Sequence, residues 1–478
     1  MKRIFILLAA ATLVLSCGPE NITGRRESPH NPADSTVQQN PADTTQTPVD
    51  PPVDPGDPVE QWEPDETGQT AVSNSVTVPA AYADYTRIAL KSSITKVQPM
   101  TGIVLWAPYS SHPDDMALEY SYMEYNKICK KKDVFDWTAL DNLLEGIASR
   151  GHQAVIRFYY VYPGKKCTVP DYIKELSDYN ETSGKSEGRT TTFPDWSCEE
   201  LQRFHLEFYR RMAERYDNDP RLAFVETGFG LWAEYHIYSG PFTMGKTFPS
   251  KAFQADFMRG MAQWFKYTTW SISIDSADNK YGPFQYDNKL LKLRFGNFDD
   301  SFMCEDHDDY NYRGWQFFGR ERYKTAPFGG EFSYFETYDQ KHCLDKAGMY
   351  GRKFEGEVAK YHMTFIIGND QPGYQSWDRI REASLSMGYK FCIRDYRIKG
   401  NKAALLVANI GVAPIYRKAY LAVGGVRSEY NLQNLMPNKE IWVEIEAPGL
   451  SASSVPTIEC DHLVKGQKIC FEADITSE

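Results

Sequence analysis

The sequence predicts an α/β protein: a TIM-like (β/α)8 barrel followed by a small C-terminal β-sandwich. Two observations support this prediction. Eight short apolar runs alternate with segments of helical period between residues 101 and 369. From about residue 388, alternating strand-like runs are separated by turns, with no helical segment. A doubly wound sheet is the alternative, but no glycine-rich phosphate loop follows the first predicted strand.

The predicted barrel strands are short apolar runs bounded by Gly, Pro, Asn or Asp. In order, they are 101–108, 116–125, 152–160, 222–228, 269–275, 291–297, 326–332 and 363–369. The predicted sandwich strands lie in YKFCIRDYRI, KAALLVANIG, RKAYLAVGG and EIWVEIEAP. These four runs alternate with turns and include no helical segment, as in a small β-sandwich.

Helices are predicted between the barrel strands from capping residues and apolar spacing. Asp136 is expected to cap a helix that ends at Gly151. Ser197 opens a predicted capping box, Ser-Cys-Glu-Glu, and Ser250 is expected to begin a further helix. A last helix is expected around 350–361, before the eighth strand.

The N-terminus has the features of an export signal. Lys2 and Arg3 precede an apolar run at 4–15, which is too short to span a bilayer. The run ends at Cys17, and its last residues resemble a bacterial lipoprotein box. We therefore predict a signal peptide over 1–16 and lipid on Cys17, which would anchor the protein to a membrane. We expect the protein to lie on the outer membrane of a Gram-negative bacterium, on either its periplasmic or its surface face.

Residues 17–68 are predicted to form a disordered stalk. This segment has ten of the 27 prolines and a net charge of −9. With the signal at +2 and the whole chain at −11, the remainder has a net charge of about −4. No basic stripe is present, so nucleic acid is not an expected partner. The barrel is predicted over 69–387 and the sandwich over 388–478.

Eight cysteines follow Cys17, and an even number in an exported protein permits disulfides. Cys460 could pair with Cys470, and Cys167 with Cys198. No CxxC or HExxH spacing is present, so neither a structural metal nor a cofactor is expected.

Two glutamates lie where a barrel places its chemistry, at the C-terminal ends of strands. Glu234, in GFGLWAEYH, follows the fourth predicted strand, and Glu331 lies near the end of the seventh, 97 residues later. Strands four and seven face each other across a barrel mouth, so these two acids can converge. Paired carboxylates are what glycoside hydrolysis requires.

An acid/base on strand four and a nucleophile on strand seven resemble clan A of the retaining glycoside hydrolases. The stretches NDPRLAFVETGFGLWAEYH, LSMGYKF and VANIGVAPIY resemble a family of exported barrel-plus-sandwich proteins, domain of unknown function 4832. The resemblance covers roughly 95–445 and implies Glu234 as acid/base and Glu331 as nucleophile. Clan A usually has Asn before the acid/base to hold the sugar's 2-hydroxyl, whereas this chain has Ala233. His236 or Asn297 could replace it.

Several other residues are candidates for the substrate site. Glu226 is a rival acid inside the barrel, and a structural ion pair with Arg157 is favoured for it. Arg157 could order the carboxylates or contact ligand. The candidate sugar platforms are Trp106, Tyr159, Tyr160, Trp232 and Trp377.

Acidic residues elsewhere are expected to be solvated. Glu124 is interpreted as a surface acid. Asp299, Asp300 and the stretch 304–312 could form a calcium loop, but the spacing does not match an EF-hand. A solvated acidic loop is therefore preferred.

These observations predict a membrane-anchored retaining glycoside hydrolase that acts on an oligosaccharide or polysaccharide. The alternative is a glycan-binding lipoprotein on a barrel that has lost its chemistry, which Ala233 favours. A purely structural surface protein is a weaker third hypothesis. The oligomeric state is left open.

Overall fold

The computed structural model describes residues 61–109, 111–112 and 114–477. The predicted signal peptide, Cys17 and stalk residues 18–60 lie outside this range. Eight parallel strands close into a barrel in chain order. Together with the C-terminal sheets, this barrel confirms the predicted fold class.

The barrel strands are β1 (Gly102–Trp106), β2 (Leu118–Glu124), β3 (Gln153–Tyr159), β4 (Leu222–Glu226), β5 (Thr269–Ser273), β6 (Gly296–Phe302), β7 (Phe328–Phe332) and β8 (Phe365–Ile367). Seven of them lie inside the predicted runs. The prediction for the sixth, 291–297, was wrong by about five residues. A 3-10 turn occupies Asn288–Lys292 instead, and Phe295 is fully buried beside the ring of Trp270.

The helices follow the strands. They are α1 (Thr138–Ser149), α2 (Glu199–Tyr216), α3 (Lys251–Trp264), α4 (Asp308–Phe318), α5 (Thr337–His342), α6 (Phe354–Tyr361) and α7 (Trp377–Ser384), with single turns at Tyr125–Ile128 and Asp171–Lys174. Short 3-10 turns lie at Ala80–Tyr82, Ile274–Ala277, Arg322–Lys324, Gln371–Gly373 and Leu432–Asn434. The cap of α3 is as predicted, because Ser250 Oγ accepts the N–H of Phe253. The capping box before α2 is absent: Cys198 occupies the cap position without a side-chain bond, and Ser197 donates to Asp195 instead.

Two sheets follow the barrel. Their strands are β9 (Phe391–Lys399), β10 (Lys402–Asn409), β11 (Ala419–Val423), β12 (Val426–Asn431), β13 (Lys439–Glu446), β14 (Thr457–Cys460) and β15 (Phe471–Ile475). The larger sheet runs Thr70–Ala71, β13, β10, β9, β15 and Leu90–Ser92, with Thr86–Arg87 also beside β9. The smaller runs β12, β11, β14. Short strands that precede the barrel in the chain therefore complete a C-terminal sheet.

Two hairpins lie outside the barrel and these sheets. Cys129–Lys131 pairs with Val134–Phe135, and Thr182–Ser186 pairs with Arg189–Phe193. Residues 61–478 form one compact unit. The predicted boundary at 387 therefore stays a prediction.

The N-terminal end of the barrel is filled with apolar side chains. Phe224 of β4 stacks on Phe365 of β8, with ring centroids 5.0 Å apart. Both rings belong to a buried cluster that continues into Tyr389 and Phe391 at the start of the larger sheet. This shared core closes the barrel at the end away from the C-terminal ends of the strands.

The last eight residues of the predicted stalk contact the folded unit. Gln61 Oε1 accepts the backbone N–H of Arg294 at 2.8 Å, and the Arg294 guanidinium lies 5.4 Å from the ring of Trp62. Glu66 forms an ion pair with Lys324 at 2.9 Å. The segment 61–68 therefore packs onto the unit it precedes.

The cysteines do not form the predicted disulfides. Cys460 and Cys470, like Cys167 and Cys198, are free thiols. The four other cysteines of the described chain are free as well. In the part of the chain described by the structure, no helix combines the length and the apolar character needed to cross a membrane.

Candidate active site

The loop after β4 fixes the position of Glu234. It folds back on itself, so that the Glu234 carbonyl accepts the N–H of Gly230 at 2.7 Å. A Cβ at Gly230 would lie 1.9 Å from the carbonyl oxygen of His236, and one at Gly228 would lie 2.1 Å from that of Ala233. Both glycines of GFGLWAEYH are therefore required by close backbone approach, not by their φ angles.

Two consecutive residues before Glu234 adopt left-handed backbone conformations. Trp232 has a φ of 51° and Ala233 a φ of 60°. Such conformations are costly for residues other than glycine and persist where the surroundings enforce them. The Trp232 N–H donates to the carbonyl of Val161 at 3.0 Å, which ties this turn to the chain after β3.

Arg157 of β3 is the central cation of the site. Its side chain is 1% exposed and lies between two acids, 3.1 Å from Glu226 Oε2 and 3.5 Å from Glu234 Oε1. The guanidinium also lies 4.5 Å from the ring centroid of Phe298. Arg157 therefore orders two carboxylates, and its predicted pairing with Glu226 is present.

Glu226 is the inner acid of the pair. It is fully buried, and it accepts the hydroxyl of Tyr120 at 2.9 Å. Burial raises the pKa of Glu226 to about 7, and Glu234 adds to the rise, whereas Arg157 and Tyr120 oppose it. Because it lies below the mouth and is enclosed by Arg157 and Tyr120, Glu226 acts as a structural partner for Arg157.

Glu331 lies within β7, and its environment differs from that of Glu234. Among the described residues, no side chain or backbone N–H donates a hydrogen bond to its carboxyl group. Burial, followed by the negative charge of Glu234, raises the pKa of Glu331 well above its ordinary value, and Arg157 opposes this only in part. Burial and the charge of Glu234 thus both disfavour the ionised form of Glu331.

His236 connects Glu234 to a further acid. Its Nδ1 lies 2.7 Å from Asp275 Oδ2, and its Nε2 lies 3.1 Å from Glu234 Oε2. Asp275 also accepts the hydroxyl of Ser273 at 2.7 Å. Burial alone would lower the pKa of His236, but Asp275 and Glu234 together raise it well above its ordinary value.

Asp300 of β6 completes the cluster. Its Oδ2 lies 4.0 Å from His236 Nδ1. Burial, then Glu234 and Asp275, raises the pKa of Asp300 well above its ordinary range. Neighbouring Asp299 is 3% exposed and accepts the side-chain amide of Asn311 at 2.8 Å, so the pair is not the solvated loop that we predicted.

Two of the predicted aromatic platforms lie at the mouth. Trp106 stacks on Tyr122, with centroids 5.2 Å apart, and the Tyr122 hydroxyl lies 3.5 Å from Arg157 Nη1. Trp232 lies nearly parallel to Tyr238, which is 55% exposed, at 6.0 Å. Each pair offers an aromatic surface beside the carboxylates.

Other predicted site residues lie elsewhere. Tyr160 is 1% exposed, stacks on Tyr125, and bonds to His205 of α2 at 2.9 Å, so it belongs to the core between strand and helix. Asn297 is 2% exposed, and its amide nitrogen has no hydrogen-bond partner among the described residues. Trp377 stacks on His112 at 4.1 Å. The structure brings none of the three into contact with the carboxylates.

Tyr159 and Glu124 contact each other at the ends of β3 and β2. The Tyr159 hydroxyl donates to Glu124 at 2.8 Å, and Lys127 forms an ion pair with the same acid at 3.0 Å. The side chain of Glu124 is 29% exposed. It is therefore a partly exposed acid with its own partners, separate from the Arg157 group.

Asp275 and Asp300 were not predicted as site residues. Asp275 is the final residue of the fifth predicted run, and a systematic check of strand-end acids would have included it. Asp300 was assigned to a loop because the predicted sixth strand ended at residue 297. Phe298 faces Arg157 inside the barrel. Asp300 lies two residues later on the same strand, so it shares the inward face of β6.

The comparisons with known proteins add the following. No family model and no curated protein matches the chain. Solved structures with similar folds include a β-mannanase from the blue mussel Mytilus edulis, with 10% identity, a TM-score of 0.34, and coverage of 62% of this chain and 95% of that one. A family 5 xyloglucanase from Paenibacillus pabuli has 10% identity, a TM-score of 0.34, and coverage of 61% and 98%.

An α-galactosidase from Thermus thermophilus has 11% identity, a TM-score of 0.35, and coverage of 66% of each chain. The names of these neighbours describe a mannanase, a xyloglucanase and an α-galactosidase. At such TM-scores the likeness supports no conclusion about activity. The fold and site define a (β/α)8-barrel protein with a carboxylate-lined mouth, and the resemblance to domain of unknown function 4832 stays a prediction.

Proposed function

We propose that this protein is a glycoside hydrolase that acts on an oligosaccharide or polysaccharide at the mouth of its barrel. The main supporting observation is the placement of two carboxyls, Glu234 and Glu331, in contrasting environments beside Arg157. Glycoside hydrolysis needs one carboxyl that donates a proton and one that is ionised.

The contacts favour a definite division of roles. Glu234 lies beside two basic side chains, 3.5 Å from Arg157 Nη1 and 3.1 Å from His236 Nε2. Glu331 has no such direct partner, and its pKa is raised. We therefore propose Glu331 as the proton donor and Glu234 as the ionised carboxylate, the reverse of the roles that the resemblance to clan A implies.

In this proposal the two acids carry out the whole reaction. Glu331 gives its proton to the glycosidic oxygen as the bond from that oxygen to the anomeric carbon breaks. Glu234 then bonds to the anomeric carbon, and water attacks with Glu331 as base, if the predicted retaining stereochemistry holds. The aromatic pairs Trp106–Tyr122 and Trp232–Tyr238 would pack against sugar rings on either side.

Azide rescue tests the division of roles. On an activated aryl glycoside, Glu331→Ala should keep the first step, and azide should restore turnover with a glycosyl azide of the substrate's configuration. Glu234→Ala should give only the inverted azide, because a nucleophile has been lost. If Glu234→Ala yields the azide of retained configuration, the roles implied by clan A replace the proposed ones.

A glycan-binding protein without catalysis is the second candidate, favoured by Ala233 where clan A has Asn. In that case the same aromatic surfaces would bind sugar, but no variant or wild-type protein would release reducing ends. Glycan binding that persists in Glu331→Gln, with no turnover in the wild type, would establish this candidate.

We also propose that lipid on Cys17 holds the protein on a membrane, with the acidic, proline-rich segment as a spacer. The motif at residues 14–17 supports this proposal. Cys17→Ser should leave the protein unlipidated and released in a membrane fractionation. Retention of this variant after a high-salt wash would contradict the proposed anchor.

A further inference from the structure

We infer that Glu234, His236 and Asp300 form a binding site for one divalent transition-metal cation at the mouth of the barrel. Within the described ranges, these residues form a group whose ligand atoms lie within 4.8 Å of one another. They come from two chain segments, the loop after β4 and the strand β6. The sequence contains no familiar metal motif, so only the fold assembles them.

The distances suit a cation after a small adjustment. His236 Nε2 lies 3.1 Å from Glu234 Oε2. Ligand atoms on opposite sides of a cation at bond lengths of about 2.0–2.2 Å are about 4.4 Å apart at most. The three ligand atoms lie within 4.8 Å of one another, so the group must contract around a cation, and a rotation of Asp300 would bring its carboxylate closer.

His236 is oriented as a metal ligand would be. Its Nδ1 is held by Asp275 at 2.7 Å, and Asp275 is held in turn by Ser273. Metal-binding histidines commonly donate one ring N–H to a carboxylate in this way, which leaves the other nitrogen for the metal. His236 Nε2 is buried, and no described residue offers it a hydrogen bond of acceptable geometry, despite the short distance to Glu234.

The balance of charge also points to a cation. Five acids gather at this end of the barrel; they are Glu226, Glu234, Asp275, Asp300 and Glu331. The cationic side chains in contact with them, within the described chain, are Arg157 and His236. Closely spaced buried carboxylates cannot all ionise without further positive charge. A divalent ion between Glu234 and Asp300 would provide it.

The donor set indicates the class of metal. One imidazole nitrogen and two carboxylate oxygens suit Zn²⁺ or Mn²⁺ better than Ca²⁺, which takes oxygen ligands. The side chains of His236 and Asp300 are 13% and 17% exposed, so an ion can enter from the mouth. Three protein ligands leave at least one coordination position open.

The open coordination position could bind the substrate, and this step rests on the proposed function. A sugar hydroxyl could complete the coordination of the cation. The cation would then hold the substrate in place of the Asn that clan A has at the position of Ala233. The cation binds the Oε2 side of Glu234, whereas Arg157 contacts Oε1. Glu331 is outside the donor set and keeps its role as proton donor.

Metal binding can be measured without any substrate. The protein should be purified without a histidine tag, stripped with a chelator, and titrated calorimetrically with Zn²⁺, Mn²⁺, Ca²⁺ and Mg²⁺. We expect one equivalent of Zn²⁺ or Mn²⁺ per chain, and binding of Ca²⁺ or Mg²⁺ at least tenfold weaker. His236→Gln and Asp300→Asn should each abolish the stoichiometric site. Asp275→Asn should weaken it by about 10–100-fold, because it removes only the group that orients His236.

His342→Ala is the matched control, because His342 also lies 2.7 Å from an aspartate, Asp345, but is 39% exposed and outside the proposed ligand group. It should bind metal as the wild type does. Circular dichroism and melting temperatures should show that every variant is folded. A Co²⁺ spectrum without a thiolate charge-transfer band would show that none of the free cysteines supplies the ligands.

Absence of a stoichiometric site in the wild type, or equal binding by folded His236→Gln and Asp300→Asn, would overturn the inference. A cobalt–thiolate band would also overturn it. Metal binding without turnover on any glycan would leave this site standing and contradict only the proposed function. Unchanged turnover after chelation, in protein that binds no metal, would contradict this site and leave the proposed function standing.

Discussion

The two ends of the barrel are built from the same strands but hold opposite kinds of side chain. On β4, Phe224 faces the apolar end, and Glu226, two residues later, faces the charged end. On β3, Val155 and Arg157 differ in the same way. Side chains two apart share a face of a strand, so one inward row passes from apolar to charged within about 7 Å.

The difference separates stability from function within one fold. The apolar end shares its core with the larger C-terminal sheet. At the charged end, Arg157 Nε, Glu226 Oε1 and the indole nitrogens of Trp106 and Trp232 are buried with no hydrogen-bond partner among the described residues. Unmatched buried polar atoms cost free energy of folding.

The largest effect is expected for Glu331→Gln at the charged end. It should lower kcat/KM on unactivated glycosides by about 10³-fold, because the proton donor is lost while the shape is kept. The free energy of unfolding should change little, because the neutral amide has the shape and charge of the protonated acid. Steady-state kinetics and urea unfolding measure both quantities. Glu124→Gln is the control and should stay within about twofold of wild-type activity; a similar loss in both variants would contradict the assignment.

Arg157→Met should be the most destabilising change at this end. It leaves Glu226 and Glu234 without their shared cation, and removal of one partner of a buried ion pair costs about 3–5 kcal/mol. The loss should be smaller at pH 5, where Glu226, whose pKa is about 7, takes up a proton. Arg203→Met removes a half-exposed pair with Glu200 and should cost less than about 1 kcal/mol. Equal urea midpoints for the two variants would show that the buried ion pair stabilises the protein no more than the partly exposed one.

Glu226 should make the stability depend on pH. Its pKa is about 7 in the folded protein and near 4.5 in the unfolded chain, so the folded state binds the extra proton. Stability contributed by this group is therefore full below pH 4.5 and is lost as the pH rises through 7, by about 2–3 kcal/mol. Urea unfolding of wild type and Glu226→Gln between pH 5 and 8 should diverge accordingly. Parallel curves would show that the Glu226 carboxyl titrates normally.

Phe224→Leu at the apolar end should have the smallest effect. Exchange of one large apolar residue for another costs about 1–1.5 kcal/mol of unfolding free energy. Glycan binding and turnover should be unchanged at a temperature where the variant is folded. A loss of activity as large as that of Glu331→Gln would mean that the two ends are coupled, and that stability and function are not separated between them.

The barrel was predictable because its pattern is local. Seven strands are short apolar runs that end at glycine, proline or a polar residue, and backbone physics alone limits such runs to a few forms. Glu234 and His236 were predicted as well, because they follow β4 directly. The sixth strand was misplaced because Asp299 and Asp300 interrupt its apolar pattern, whereas the preceding residues Leu291, Leu293 and Phe295 mimic a strand.

The missing parts of the site follow from that error and from the period of a strand. With the sixth strand misplaced, Asp300 could not be assigned to the inward face. Tyr160 was grouped with the platforms although a step of one residue from Tyr159 turns a side chain to the opposite face. Contacts such as His236 with Asp275 join residues 39 positions apart, and no local pattern indicates them.

The most direct test of the account measures binding and reducing-end release together, on one glycan panel, for the wild type and Glu331→Gln. We predict that the wild type both binds and cleaves at least one glycan of the panel. We also predict that Glu331→Gln binds the same glycan with unchanged affinity and releases no ends. Equal release by the two proteins would place the chemistry elsewhere, and binding without release by the wild type would contradict the central claim that this mouth is a hydrolytic site.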